Sequence, residues 1–193
     1  VRLSVPQLAG ATFVAGATLG SAVRARAIAE TGTLADESVF LDFDGIEAAT
    51  GSFLREAVLG LRDSDQLGSR NLSVVVANAS ELVSEELGEL LSRLRDVVLC
   101  CRLAADETPA NPFLLGVLED AQRRTLAAVL KVGATDATTL AGMPRQDGDP
   151  DKIGVTGWNN RLASLAAKGI LRETRRGRTK TYRLAVEGLT LGR

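Results

Sequence analysis

Asp42, Asp44, Thr50 and Ser52 all stand in the short segment 41–54, LDFDGIEAATGSFL. Carboxylates at i and i+2 on a strand share a face, the arrangement of a metal or acid–base pair. No third ligand or nucleophile accompanies Asp42 and Asp44, so turn and capping roles are expected of them. Ser52 heads the next amphipathic run. There a hydroxyl can accept a free backbone N–H as an N-cap, or sit in the first turn. The same place suits a phosphate, which meets free N–H groups and the positive end of the helix dipole. The residues alone leave both readings of Ser52 open, a plain helix-start serine and a modified switch.

Catalysis has little to work with. The chain contains no histidine, which removes the commonest general base, zinc ligand and triad partner together. Cys100 and Cys101 are neighbours on a strand-like run, so a disulfide between them would be strained. They are expected to be reduced thiols of a cytoplasmic protein rather than a metal site. The glycine-rich stretch 16–21, GATLGS, lacks the lysine of a phosphate-binding loop and the G-x-G of a dinucleotide fingerprint. Ser52 has no G-x-S-x-G elbow and no base to activate it. No enzymatic activity, cofactor or metal is expected.

A second constellation lies near the C-terminal end. On a helix over 155–168, Val155, Trp158, Leu162 and Leu165 share a face expected to pack inward. Thr156, Asn160, Ala163 and Ser164 point away, with Asn159 and Arg161 on the flanks. Arg175, Arg176, Arg178 and Lys180 then cluster around the turn at Arg176-Gly177. Exposed Thr and Asn in the first turns of a helix can read base edges, and Arg or Lys on a hairpin suits phosphate and minor-groove contacts. Thr156, Asn159, Asn160, Arg161, Ser164, Arg175, Arg176, Arg178 and Lys180 are therefore the candidate DNA contacts. For the hairpin charges the plain alternative is a solvated basic face.

The charge distribution separates the two constellations. Residues 1–111 hold 9 Lys or Arg against 16 Asp or Glu, and residues 112–193 hold 14 against 8. From Lys152 onward there are 10 basic and 2 acidic residues. An acidic half joined to a basic half suggests two modules, the second facing a polyanion. No apolar run approaches ~18 residues and no charged n-region precedes an apolar one, so neither a membrane span nor a signal peptide is expected.

The elements that must position these residues follow from hydrophobic periodicity. Strands are expected at 1–5, 12–15, 39–43, 72–77 and 97–103, with helices at 20–30, 52–61 and 80–94. This alternation predicts an α/β sandwich over 1–104. The polar stretch 105–112, carrying Pro109 and Pro112, reads as a linker whose cleavage would release two folded pieces. Over 113–193 the pattern gives an amphipathic helix at 113–131, a short helix at 135–141 with Thr135 as its N-cap, a polar loop at 144–150, the helix at 155–168 and a two-stranded hairpin over 170–184.

Two resemblances sharpen this reading. The pattern Asp42-Phe43-x-Gly45-hydrophobic, followed by Thr50-x-Ser52-Phe53, resembles the STAS domain of bacterial anti-sigma-factor antagonists, over roughly residues 1–104. In its form it is closest to a STAS-like subgroup that often accompanies histidine-kinase-type ATPases. The resemblance implies a protein-interaction domain with Ser52 as the residue a partner kinase phosphorylates, Thr50 and Asp42 beside it. The block N160-RLASLAAKGIL-171, followed by the basic Gly177 turn and Tyr182-Arg-Leu, resembles the recognition helix and wing of winged helix-turn-helix regulators, over about 120–186. It implies binding to double-stranded DNA, as a homodimer on paired half-sites. The combined expectation is α/β plus α+β: a STAS-like domain, then a winged helix-turn-helix domain, in a cytoplasmic transcription regulator. The other expectation is an adaptor in an ATPase-linked signalling or phage-defence system, with the C-terminal module docking protein.

Overall fold

The computed structural model describes residues 1–143, 153–177 and 179–191. Its centre is a five-stranded sheet made of β1 (Arg2–Ser4), β3 (Ser38–Asp42), β5 (Ser73–Ala77), β6 (Val97–Leu103) and β7 (Pro109–Gly116), in that spatial order. The first four are mutually parallel and β7 is antiparallel to β6. A minor parallel pair, β2 (Phe13–Val14) and β4 (Ala48–Ala49), lies beside it. The fold is thus mixed α/β around a mostly parallel sheet.

Strand order explains the layering. Successive parallel strands advance across the sheet in one direction, and right-handed crossovers then deliver every connecting helix to the same face. α2 (Ala17–Thr31), the helix over 51–62 and α6 (Glu81–Leu94) all pack there. The helix over 51–62 is α3 (Gly51–Leu54), a π-helical turn (Arg55–Leu59) and α4 (Gly60–Arg62). α2 approaches it so closely that a Cβ on Gly20 would stand 2.6 Å from the Phe53 carbonyl oxygen. Short α1 (Val5–Ala9), capped by Ser4, ends the first strand early, and α5 (Asp65–Gly68) precedes β5.

The opposite face of the sheet needs a cover, because β5 and β6 are buried on both sides. Val74, Val76, Val98 and Cys100 feed the helical face, whereas Val75, Ala77, Val97, Leu99 and Cys101 feed the other. The C-terminal half supplies that second layer. α7 (Asp120–Val132), α8 (Ala137–Ala141), α9 (Val155–Ala167) and the hairpin β8 (Leu171–Arg176)–β9 (Thr179–Leu184) contribute Leu126, Val129, Leu140, Leu162, Leu165, Leu171 and Tyr182 to the same core. Polar ties reinforce it. Lys168 Nζ pairs with Asp96, Asn71 donates to the Glu173 carbonyl, and the Ser38 hydroxyl donates to the Ala185 carbonyl.

Residues 105–112 are therefore not a bare linker. They form a turn, closed by Asp106 and Thr108, and the first half of β7. Residues 113–116, expected as helix, pair with 97–100 instead, and helix begins only at Asp120. Gly116 enforces the change. It sits at φ 104°, and a Cβ there would meet the Asp96 carbonyl oxygen at 2.3 Å. Of the two places open to Ser52 the structure shows the first turn, with Thr50 as the N-cap of α3; at α8 the cap differs from expectation, being Asp136 and not Thr135. Thr135 is buried and exchanges both backbone hydrogen bonds with Tyr182.

Candidate functional site

α9 presents a stripe of small and polar residues. Thr156 and Asn160, one helical turn apart, are exposed, while Leu162 and Leu165 are fully buried on the other side. Trp158 is half-buried against the second core, as its spacing predicts. Val155, expected inward, is 47% exposed. It is the first helical residue, and side chains tilt toward the N-terminus, so it reaches past the packed face. Two other candidate contacts are already engaged. Ser164 accepts from Gln122 Nε2 at 3.0 Å, and Asn159 Oδ1 lies 3.5 Å from the Tyr182 hydroxyl, whose proton goes to Glu173. Arg161 is half-buried on the flank.

The hairpin sets Arg175 directly opposite Lys180. Like charges facing one another across strands repel, and Glu173 resolves the conflict. Its carboxylate accepts from Arg175 Nε at 2.9 Å, Lys180 Nζ at 3.0 Å and the Tyr182 hydroxyl at 3.1 Å. Burial acts to raise the Glu173 carboxyl, but these three donors outweigh it and hold the group below the usual range. Burial, and then the charge of Glu173, push the Tyr182 phenol up to about 12. Arg176 ends β8. Arg178 lies outside the described residues.

Between α9, the hairpin and segment 68–73 opens a cleft of about 690 Å³. Ala163 and Ala167, which continue the Thr156–Asn160 stripe, form part of its wall, facing Ser69 and Asn71 of the N-terminal half. Ala163 is half-buried there, whereas Ala167 remains exposed at the cleft's rim.

The residues around Ser52 are brought together in part. Ser52 is exposed in the first turn of α3, its Oγ 3.2 Å from Thr50 Oγ1. Thr50 accepts from the Phe53 and Gly16 amides at 3.4 and 3.0 Å. The helix start already holds an anion, since Gly51 N–H donates to Glu86 Oε1 at 2.7 Å. Asp42 takes part elsewhere. It is buried, ion-pairs with Arg2 at 2.6 Å and accepts from Asn78 and the Asp44 amide. The Asp44 contact is a turn hydrogen bond, not a carboxylate pair.

Cys100 and Cys101 are free thiols, one in each core. Burial pushes them up to about 12 and about 11, so neither is a thiolate at neutral pH. No cluster of three metal-ligating side chains occurs among the described residues. No described helix is long and apolar enough to cross a membrane. Comparison with family models, curated proteins and solved structures finds no match for the chain.

Sequence reasoning passed over Glu173, Glu86, Asn71 and Lys168. Glu173 had a signal, as the lone acid within a basic hairpin, two residues from Arg175. The other three depend on partners 35 or more positions away, which no local pattern reveals.

Proposed function

We propose that the chain is a non-enzymatic, DNA-binding transcription regulator. Its C-terminal half is a winged helix-turn-helix module, with α9 as recognition helix and β8–β9 as wing, and the N-terminal half is a STAS-like protein-interaction domain. The observation that carries this reading is the start of α9. Thr156 and Asn160 stand exposed on its first turns while Leu162 and Leu165 anchor the other face, leaving the polar end of a rigid helix free to enter a major groove. The order α7, α8, α9, β8, β9 and the basic excess after Lys152 agree with it.

Asn160 is the leading base reader, by two hydrogen bonds to adenine, and Thr156 a second contact. The wing and Arg161 meet phosphates. In the N-terminal half, phosphorylation of exposed Ser52 is the regulatory input, delivered by a histidine-kinase-type ATPase partner. A cytoplasmic homodimer on paired half-sites completes the account.

A second reading, an adaptor whose C-terminal module docks protein, draws support from Glu173. That residue neutralises Arg175 and Lys180 within the wing, which lowers the charge available to a phosphate backbone. Selection of a preferred site from a random duplex library separates the two. Asn160→Ala is expected to weaken the selected site by about 1–3 kcal/mol and random duplex hardly at all. Equal loss on both, or no enriched sequence, overturns the base-reading role.

A further inference from the structure

Arg172 on β8 is buried, with 8% residual exposure, yet no carboxylate among the described residues touches it. Its Nη2 donates to the Ser38 hydroxyl at 2.6 Å, and its Nε has no partner among the described residues. Directly across the hairpin, in register, stands Arg183, exposed and without a hydrogen bond or ion pair among the described residues. Two cations in register across the hairpin with no carboxylate in direct contact are costly, because a buried charge is tolerated when it is paired. The other end of the same hairpin solves the identical problem with Glu173 between Arg175 and Lys180. At the base of the hairpin no acid among the described residues bridges the pair in this way. Asp36 and Glu37 lie close enough to act through space, but Asp36 is engaged by Asn71 and Glu37 by the N-terminal ammonium.

We infer that Arg172 and Arg183 form a binding site for a phosphate-type oxyanion, which bridges the two guanidiniums as Glu173 bridges Arg175 and Lys180. Planar guanidinium forks favour an oxyanion with several acceptor oxygens over a halide. Ser38 fixes the orientation of Arg172 by accepting from one nitrogen while its own proton goes to the Ala185 carbonyl. Burial, and then the charge of Arg183, hold the Arg172 guanidinium below its ordinary value, and an anion would relieve the second cause. The oxyanion has two sources, free phosphate and a backbone phosphate of a duplex. The site stands whether or not α9 reads bases.

The test uses the full chain. Its thermal midpoint is measured in sodium phosphate and in sodium chloride at matched ionic strength, for the wild type and Arg183→Gln. Phosphate stabilises proteins generally by exclusion, so the variant, altered only at an exposed side chain, reports that general part. The expected result is a phosphate-specific rise of about 2 °C or more in the wild type that Arg183→Gln loses. A second arm measures binding to a random duplex against salt. A slope reduced by about 0.9 in Arg183→Gln assigns the site to a backbone phosphate, and an unchanged slope with the midpoint effect present assigns it to free phosphate. Equal midpoint rises in both proteins, together with identical slopes, overturn the site and leave Arg172 a structural cation.

Discussion

Lys168, just beyond α9, ion-pairs with Asp96, which immediately precedes strand β6 in the other half of the chain. The same carboxylate holds Arg62 at 2.6 Å, with the Arg62 side chain only 7% exposed. Burial acts to raise the Asp96 carboxyl, but the bonds from Arg62, Lys168 and the Val97 amide overcome it and leave the group below its ordinary value. A carboxyl lowered on folding adds stability that is present above its unfolded pKa, about 3.9, and is lost as pH falls through the lower folded value. Stability should therefore decline below about pH 4. Asp96→Asn should cost on the order of 1–3 kcal/mol at pH 7 and flatten the acid limb in urea titrations at a series of pH values.

Severing the chain within 105–108 should not release two independent pieces. The second core joins Val75, Val97 and Leu99 of the sheet to Leu126, Leu162, Leu165 and Tyr182. At roughly 1.5–3 kcal/mol per large buried side chain, exposing that face would exceed the ~5–15 kcal/mol that stabilises a whole domain. The nicked halves should co-elute on size exclusion. A 1–116 fragment made alone should bind a hydrophobic dye or aggregate.

The cap assignment gives a sharp contrast. Thr50→Ala removes the acceptor of the Phe53 and Gly16 amides and should cost about 1 kcal/mol. Ser52→Ala, at an exposed site, should stay within about 0.5 kcal/mol. Chemical unfolding of both variants checks the order. Ser52→Asp adds a charge to a helix start that Glu86 already occupies. It should be better tolerated in a Glu86→Gln background.

Glu173→Gln frees two cations at once. If the wing meets a duplex backbone, this variant should bind random DNA more tightly than the wild type. Its log K against log salt slope should steepen by up to about 0.9 for each of Arg175 and Lys180. Fluorescence anisotropy across a salt series reads both quantities.

Local pattern carried the first four strands of the central sheet and the long helices well. The run Val74–Ala77 is apolar and buried throughout, and α6 keeps Val83, Leu87, Leu90 and Leu91 on one face. It failed at 113–116, where Phe-Leu-Leu-Gly continues the apolar spacing of α7 but is claimed by pairing with 97–100. That pairing is a tertiary fact, and it also turned an apparent linker into a sheet edge. At the candidate interface, Thr156 and Asn160 were legible because helical phase alone fixes their direction. Ser164 and Asn159 were not, since Gln122 and Tyr182 reach them from distant segments.

The salt dependence of duplex binding tests the central claim most directly. The full-length protein is titrated into a labelled random-sequence duplex over a range of sodium chloride concentrations. Insertion of α9 with phosphate contacts from the hairpin predicts measurable binding at low salt and a linear log–log slope of about −3 or steeper. Absence of binding at low salt, or a slope near zero, would contradict a DNA-binding role.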